Sequence, residues 1–258
     1  MNAMKNIWVI CRKELRSYFV SPIGYAVIAL FALIFGLVFY VAARDYVNYT
    51  FRAQMMGGGG PSNVNEQIIR PILGFAGTVS LFLIPMITMR LFAEEKKNGT
   101  IELLLTSPVE DIGIVLGKWL GALLLYLCAL GTSLFTMALL FFWGKPDWKP
   151  VAVAYLGLIL QAACLLALGT FISSLTSNQI IAGGVTFFAS LMLYMLSWFT
   201  NFADSRFSKV LNYLSIITHM ENFSKGIVDS KDVIFYVSFI FLALFLIMRQ
   251  MESLRWRS

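Results

Sequence analysis

Residues 90–118 form a charged island between two apolar blocks that carry no charge at all, residues 71–89 before it and 119–144 after it. Each block is about as long as the roughly 20 residues a helix needs to cross the hydrocarbon of a bilayer. The island holds Arg90, Glu94, Glu95, Lys96, Lys97, Glu102, Glu110, Asp111 and Lys118, in a chain that is only 13% charged. Water must reach the island and must be kept from both neighbours. A membrane surface meets that demand; a soluble core does not.

The rest of the chain repeats the pattern. Of its 258 residues, 59% are hydrophobic, which leaves too little polar surface to cover a soluble domain. Six blocks are long and apolar enough to span: about 22–43, 71–92, 112–144, 151–175, 180–199 and 233–248. Inside lipid every backbone N–H and C=O must be satisfied within its own segment, so each block is expected to be a helix. The expectation is an all-α integral membrane protein: one transmembrane domain over 1–258 with six transmembrane helices. The net charge of +6 fits membrane lipid headgroups as a partner and gives no call for nucleic acid.

Residues 4–20 read as an amphipathic helix lying in the interface. Met4, Trp8, Cys11, Leu15 and Tyr18 recur at helical spacing, with Lys5, Arg12, Lys13 and Arg16 on other faces. The apolar run that follows starts late and is too long for a cleaved leader, so it is expected to remain as the first span. Residues 44–70 read as a polar loop whose glycine run, 57–60, lacks the Lys-Ser or Lys-Thr of a phosphate loop. Residues 201–231 are polar but rich in Phe, Leu and Ile, and are expected to fold as short helices against the opposite membrane face. Trp143 and Trp148 suit the headgroup level beside the turn at 145–150.

The island has its own grammar. Asn98-Gly99 breaks a helical run. Thr100 then suits the cap of a short helix over 101–106. Ser107 suits the next N-cap, Pro108 the first helical position and Glu110 the third, where its carboxylate would reach back to the Ser107 amide. The spacing predicts a short, capped helix at the membrane surface, a handle that a soluble partner could push. A well-capped solvated loop would show the same spacing. Beyond it Gly113, Gly117 and Gly121 lie four apart, so a second helix could pack closely there. Residues 113–118 are one short of a phosphate loop, and Trp119 stands where Ser or Thr is required.

Few residues offer chemistry. Cys11, Cys128 and Cys164 are far apart and read as small apolar fillers. His219 is the only histidine, so no metal site is expected. Gln161 is the most polar residue inside a span; it either lines a path or hydrogen-bonds a neighbouring helix. A secondary transporter would need ionisable groups central to a span, and a membrane enzyme would need clustered acid, base or nucleophile at one face. Both remain as alternatives, and neither is favoured by these residues.

The run AEEKKNGTIELLLTSPVEDIGIVLGK, residues 93–118, resembles the signature of type 2 ABC exporter permeases. In that family an acidic pair, a Gly-Thr, a Glu-Leu-Leu and a Ser-Pro precede a span and form the coupling helix that docks on the ATPase. The run HMENFSKGIVD, residues 219–229, is similar to the stretch before the last span of gliding-motility ABC permeases and their relatives from nitrous oxide reductase maturation. The resemblance implies a permease subunit with a cytoplasmic coupling helix between spans two and three. Glu94, Glu95, Gly99, Thr100 and Glu102 would make the ATPase contact, with Gly99 for the turn and the carboxylates facing basic groups. It implies a separate ATPase dimer that binds ATP and magnesium, no cofactor in this chain, and a second permease copy or sister permease packed along the first and fifth spans. An extracytoplasmic accessory protein would follow from the gliding-type likeness. Six spans put both termini on one side, which holds 11 of the 20 Lys and Arg. The resemblance places that side in the cytoplasm of a bacterial inner membrane.

Overall fold

The structure is a computed structural model that describes residues 3–55, 63–106, 109–144, 146–199 and 205–255. No strand occurs among the described residues. Among the described residues six helices are long and apolar enough to cross a membrane. They are α2 (Pro22–Met55), α3 (Arg70–Thr88), α6 (Asp111–Gly144), α7 (Trp148–Leu175), α8 (Gln179–Phe199) and α11 (Ser230–Arg255). Preceding them is α1 (Ala3–Val20); α4 (Ala93–Lys97) and α5 (Ile101–Leu105) lie between α3 and α6, and α9 (Ser205–Leu214) and α10 (Ile216–Ser224) between α8 and α11.

The sequence explains most of the ends. Ser21 accepts the Ile23 amide at 3.4 Å, and Pro22 opens α2 without needing a donor. That helix then runs on to Met55, well past residue 43, because residues 44–55 contain neither Gly nor Pro. At 1.5 Å per residue it is about 50 Å long, more than the roughly 30 Å hydrocarbon layer, so the polar stretch read as a loop begins as helix. A π-helical turn, Asn65–Ile69, leads into α3. Pro85 removes one ladder hydrogen bond from α3, and the helix ends one turn later at Thr88, short of residue 92.

Packing centres on α3 and α7. Ile72, Leu73, Leu83, Ile84 and Ile87 of α3 are fully buried, as are Leu158, Ala162, Leu165 and Leu166 of α7. Around this pair stand α2 and α8 against α3, and α11 against α7, while α6 joins α2, α7 and α11. Both α2 and α8 keep most of their apolar surface outward, as at Leu33, Leu37, Phe188 and Met192.

The side of α1 that packs inward carries Ile7, Cys11, Glu14 and Tyr18; Met4 and Trp8 are exposed. Cys11, Leu15 and Tyr18 of the expected stripe pack against the bundle, whereas Met4 and Trp8 turn away from it. The stripe of α1 that packs lies along α6, so α1 is fixed to the bundle rather than lying free.

Candidate functional site

The island is folded around one buried ammonium. Lys118, only 1% exposed, sits in the second turn of α6. Its Nζ donates to Glu14 Oε1 at 2.8 Å, to the Leu91 carbonyl at 2.8 Å and to Glu95 Oε1 at 2.9 Å. The Phe92 ring lies 5.3 Å below it. Three donors thus meet three acceptors, and the charge is offset by two carboxylates from α1 and α4. Lys13 reaches Glu95 more loosely, at 3.8 Å. Oε2 of Glu95 is buried with no partner.

Around this node α4 is pinned on every side. The Ser173 hydroxyl of α7 accepts the amides of Phe92 and Ala93, both at 3.1 Å, which satisfies donors that the start of α4 would otherwise waste. Lys96 donates to the Ser174 carbonyl. Arg90 forks onto Glu94, Nε to Oε2 at 2.7 Å and Nη2 to Oε1 at 3.0 Å, and its Nη1 donates to Ser21 at 3.0 Å. Tyr18 donates to the Ile87 carbonyl at 2.7 Å. Burial pushes the Tyr18 phenol well above its usual range, so it stays a donor.

Past α4 the chain turns outward. Gly99 has φ +70, its amide meets the Lys96 carbonyl, and the Thr100 amide meets that of Glu95. This is a Schellman ending with glycine at the left-handed position, so the turn read from Asn98-Gly99 is present. Thr100 takes the N-cap position of α5, but its hydroxyl donates back to the Glu95 carbonyl at 3.3 Å instead of accepting an α5 amide. Glu102 and Leu103 are exposed, Leu103 at 73%.

Two expectations change. Glu95 turns inward onto Lys118, whereas Glu94, held by Arg90, keeps its side chain 33% exposed and Glu102 is exposed. Ser107 and Pro108 lie outside the described residues, but α6 starts at Asp111 and the Glu110 carbonyl accepts the Gly113 and Ile114 amides. Glu110 therefore stands at the N-cap and not at the third helical position. Asp111 opens the helix and pairs with Arg255 of α11 at 3.0 Å.

The glycine stripe on α6 packs closely against α1. A Cβ at Gly117 would lie 2.7 Å from Ile10 Cβ, and one at Gly121 would lie 2.8 Å from Glu14 Cβ. Gly113 is looser, with Asn6 at 3.9 Å. This close approach brings Glu14 within reach of Lys118. Between α1, α4 and α5 a cleft of roughly 410 Å³ remains, with Lys13, Glu94, Glu95 and Leu103 on its walls.

Ser173 and Ser174 were missed by the sequence reading. The available signal was a polar pair in the last turn of an otherwise apolar span. Asp232 was missed as well. It lies at the opposite end of the bundle, 4% exposed, and meets His219 Nδ1 at 2.6 Å while its other oxygen accepts from Asn222 at 2.8 Å. His219 Nε2 donates to the Tyr213 carbonyl at 2.8 Å, and the ring stacks on Phe235 at 4.0 Å. This cluster ties α10 to α11.

A family model described as ABC-2 family transporter protein matches residues 8–251. No curated protein matches the chain.

Proposed function

The chain belongs to the ABC-2 transporter family, and from that premise we propose that it is the permease through which a separate ATPase drives export, or mechanical motion, across a bacterial inner membrane. ATP and magnesium belong to the ATPase dimer. The segment α4–α5 is the coupling element, in the cytoplasm with both termini. One observation carries this reading: the tip of the segment, Glu102 and Leu103, is exposed, whereas its root is tied to α1, α6 and α7 through Lys118, Ser173 and Ser174. A displacement of α5 is thereby delivered to several helices at once, and neither a free loop nor a lone salt bridge would do this. Glu102 and Leu103 make the ATPase contact; Glu95 and Gly99 hold its geometry.

The outward apolar faces of α2 and α8 suit a second permease, identical or related, as well as lipid. The likeness to gliding-motility permeases supports a finer assignment, transmission of force to an extracytoplasmic partner. The observation in its favour is the outer cluster: His219, Asn222 and Asp232 lock the outer helices into a firm platform.

Mild solubilisation of the native complex, followed by identification of every co-purifying chain, tests the assignment. An ABC ATPase in equal amount is the expected result. A permease that purifies without one, even after crosslinking, overturns it.

A further inference from the structure

Helix α9 ends at Leu214, so its last carbonyls have no partner within the helix. One of them, that of Tyr213, is met by a side chain of the next helix: His219 of α10 donates to it from Nε2 at 2.8 Å. The other ring nitrogen, Nδ1, faces Asp232 Oδ1 of α11 at 2.6 Å. Asp232 Oδ2 accepts from Asn222 Nδ2 at 2.8 Å. The ring lies on Phe235 with centroids 4.0 Å apart, and the Tyr213 ring meets it edge-on at 5.6 Å. At 6% and 4% exposed, His219 and Asp232 must find their partners within the protein.

This geometry sets a proton count. A neutral imidazole has one N–H and one lone pair. Here both ring nitrogens face oxygen acceptors, a peptide carbonyl that cannot donate and a carboxylate. Whichever neutral tautomer is chosen, one lone pair is set against an oxygen at 2.6 or 2.8 Å. The closed cluster therefore needs one proton more than a neutral ring beside an ionised carboxylate. The ring carries it, because imidazole is a stronger base than a carboxylate. The charge of Asp232, the negative end of α9 and the face of Phe235 all suit the resulting cation. Among the described residues no other titratable group touches either ring nitrogen. From α11, Tyr236 stands 6.2 Å from the ring and donates to the Ile216 carbonyl, with Cys164 of α7 beside it. From α8, Tyr194 bonds to Thr78 of α3. Arg70 of α3 and Lys225 share Glu221, Asp229 accepts the Lys231 amide, and Lys209 and Lys231 are exposed.

We propose that this pair is a proton-binding latch: one bound proton joins α9 to α11 through His219, and its loss as pH rises releases the end of α9. A neutral ring keeps its bond to the carboxylate, the stronger of the two because the acceptor is charged. Nε2 then turns a lone pair on the Tyr213 carbonyl, and that link breaks. The closed form binds the extra proton more tightly than the open form does. Closure is thus fully favoured at acid pH, where the open ring is protonated too, and weakens as pH rises. The latch lies at the far end of the bundle from α4–α5 and uses none of its residues, so its failure leaves the coupling reading untouched.

His219 is the only histidine of the chain. The full chain, isotopically labelled at its histidine ring nitrogens and placed in nanodiscs, therefore gives a single imidazole to follow by magnetic resonance. Hydrogen exchange of the α9 amides, corrected for the pH dependence of free amides, is read on the same samples. The scan runs from about pH 5 to about pH 9, which brackets the ordinary histidine range. Both ring nitrogens should start as N–H, and Nε2 should then lose its proton. Opening of α9 should rise with that loss, by up to about tenfold per pH unit, the slope of one proton. Asp232→Asn should abolish the second N–H near neutral pH and flatten that slope; the wild-type scan carries the test if this variant does not fold. One bare ring nitrogen across the whole range, two N–H signals that never change, or a deprotonation that leaves α9 exchange unaltered overturns the proposal.

Discussion

Replacing Lys118 by Met removes one charge and leaves two. The side chain is 2% exposed, and its carboxylate partners Glu14 and Glu95 are 12% and 16% exposed. Met preserves most of the buried stem, so the apolar contribution changes little. What changes is electrostatic: two carboxylates remain in a poorly solvated pocket without the ammonium at 2.8 and 2.9 Å. Breaking a buried pair from one side costs about 3–5 kcal/mol, because a desolvated charge is left behind. Lys118→Met should therefore lose about that much. Glu95→Gln should cost about 1 kcal/mol, since Lys118 keeps Glu14 and the Leu91 carbonyl. The triple variant Glu14→Gln, Glu95→Gln, Lys118→Met removes the stranded charges together and should recover most of the loss. Unfolding of the purified chain by dodecyl sulfate in mixed micelles, followed by tryptophan fluorescence, gives the four free energies. A single variant within about 0.5 kcal/mol of wild type, or a triple no better than the single, would show that the node is not closed as described.

Gly117→Ala, whose Cβ would meet Ile10 at 2.7 Å, should destabilise by about 1–3 kcal/mol, whereas Gly131→Ala, with nothing within 4 Å, should be neutral or stabilise by up to about 1 kcal/mol; the same unfolding assay compares them. Gly226→Ala should cost more than Gly99→Ala in that assay, because both have φ near +70 to +77 but only Gly226 also meets Pro150, at 2.8 Å. The hydrogen bond from Lys225, aided by the charges of Lys225 and Arg70, holds the Glu221 carboxyl below its ordinary range. Its contribution is thus present above the usual carboxylate range and lost as pH falls through the lowered value. Because the side chain is 57% exposed, Glu221→Gln should flatten the acid limb of a stability–pH profile by less than about 1 kcal/mol.

The spans were readable because crossing a bilayer requires length and apolarity, and both are properties of a single segment. Their ends were less so. Helix α2 overran its apolar block because nothing in residues 44–55 stops a helix, and hydropathy measures solvent, not helix termination. The island announced itself by charge density, and Gly99 by its turn. The direction of each charge was hidden. Lys118 stands beside Trp119 at the edge of an apolar block and reads as a surface residue. Only the folding together of residues 14, 95 and 118, from three helices, makes it the centre. Glu94 and Glu95 looked equivalent in sequence, yet one is held by Arg90 four residues away and the other crosses to α6. His219 looked isolated because Asp232, its partner, lies in the first turn of the next span.

In the proposed coupling, the tip of α5 meets an ATPase while its root moves the bundle. Cysteines placed at Leu103 and at Trp148, which are exposed at opposite ends of the molecule, test it in the native complex with Cys11, Cys128 and Cys164 replaced by alanine. Leu103→Cys should crosslink to an ATPase subunit and Trp148→Cys should not. An ATPase that co-purifies but crosslinks equally to both, or to Trp148→Cys alone, would contradict it.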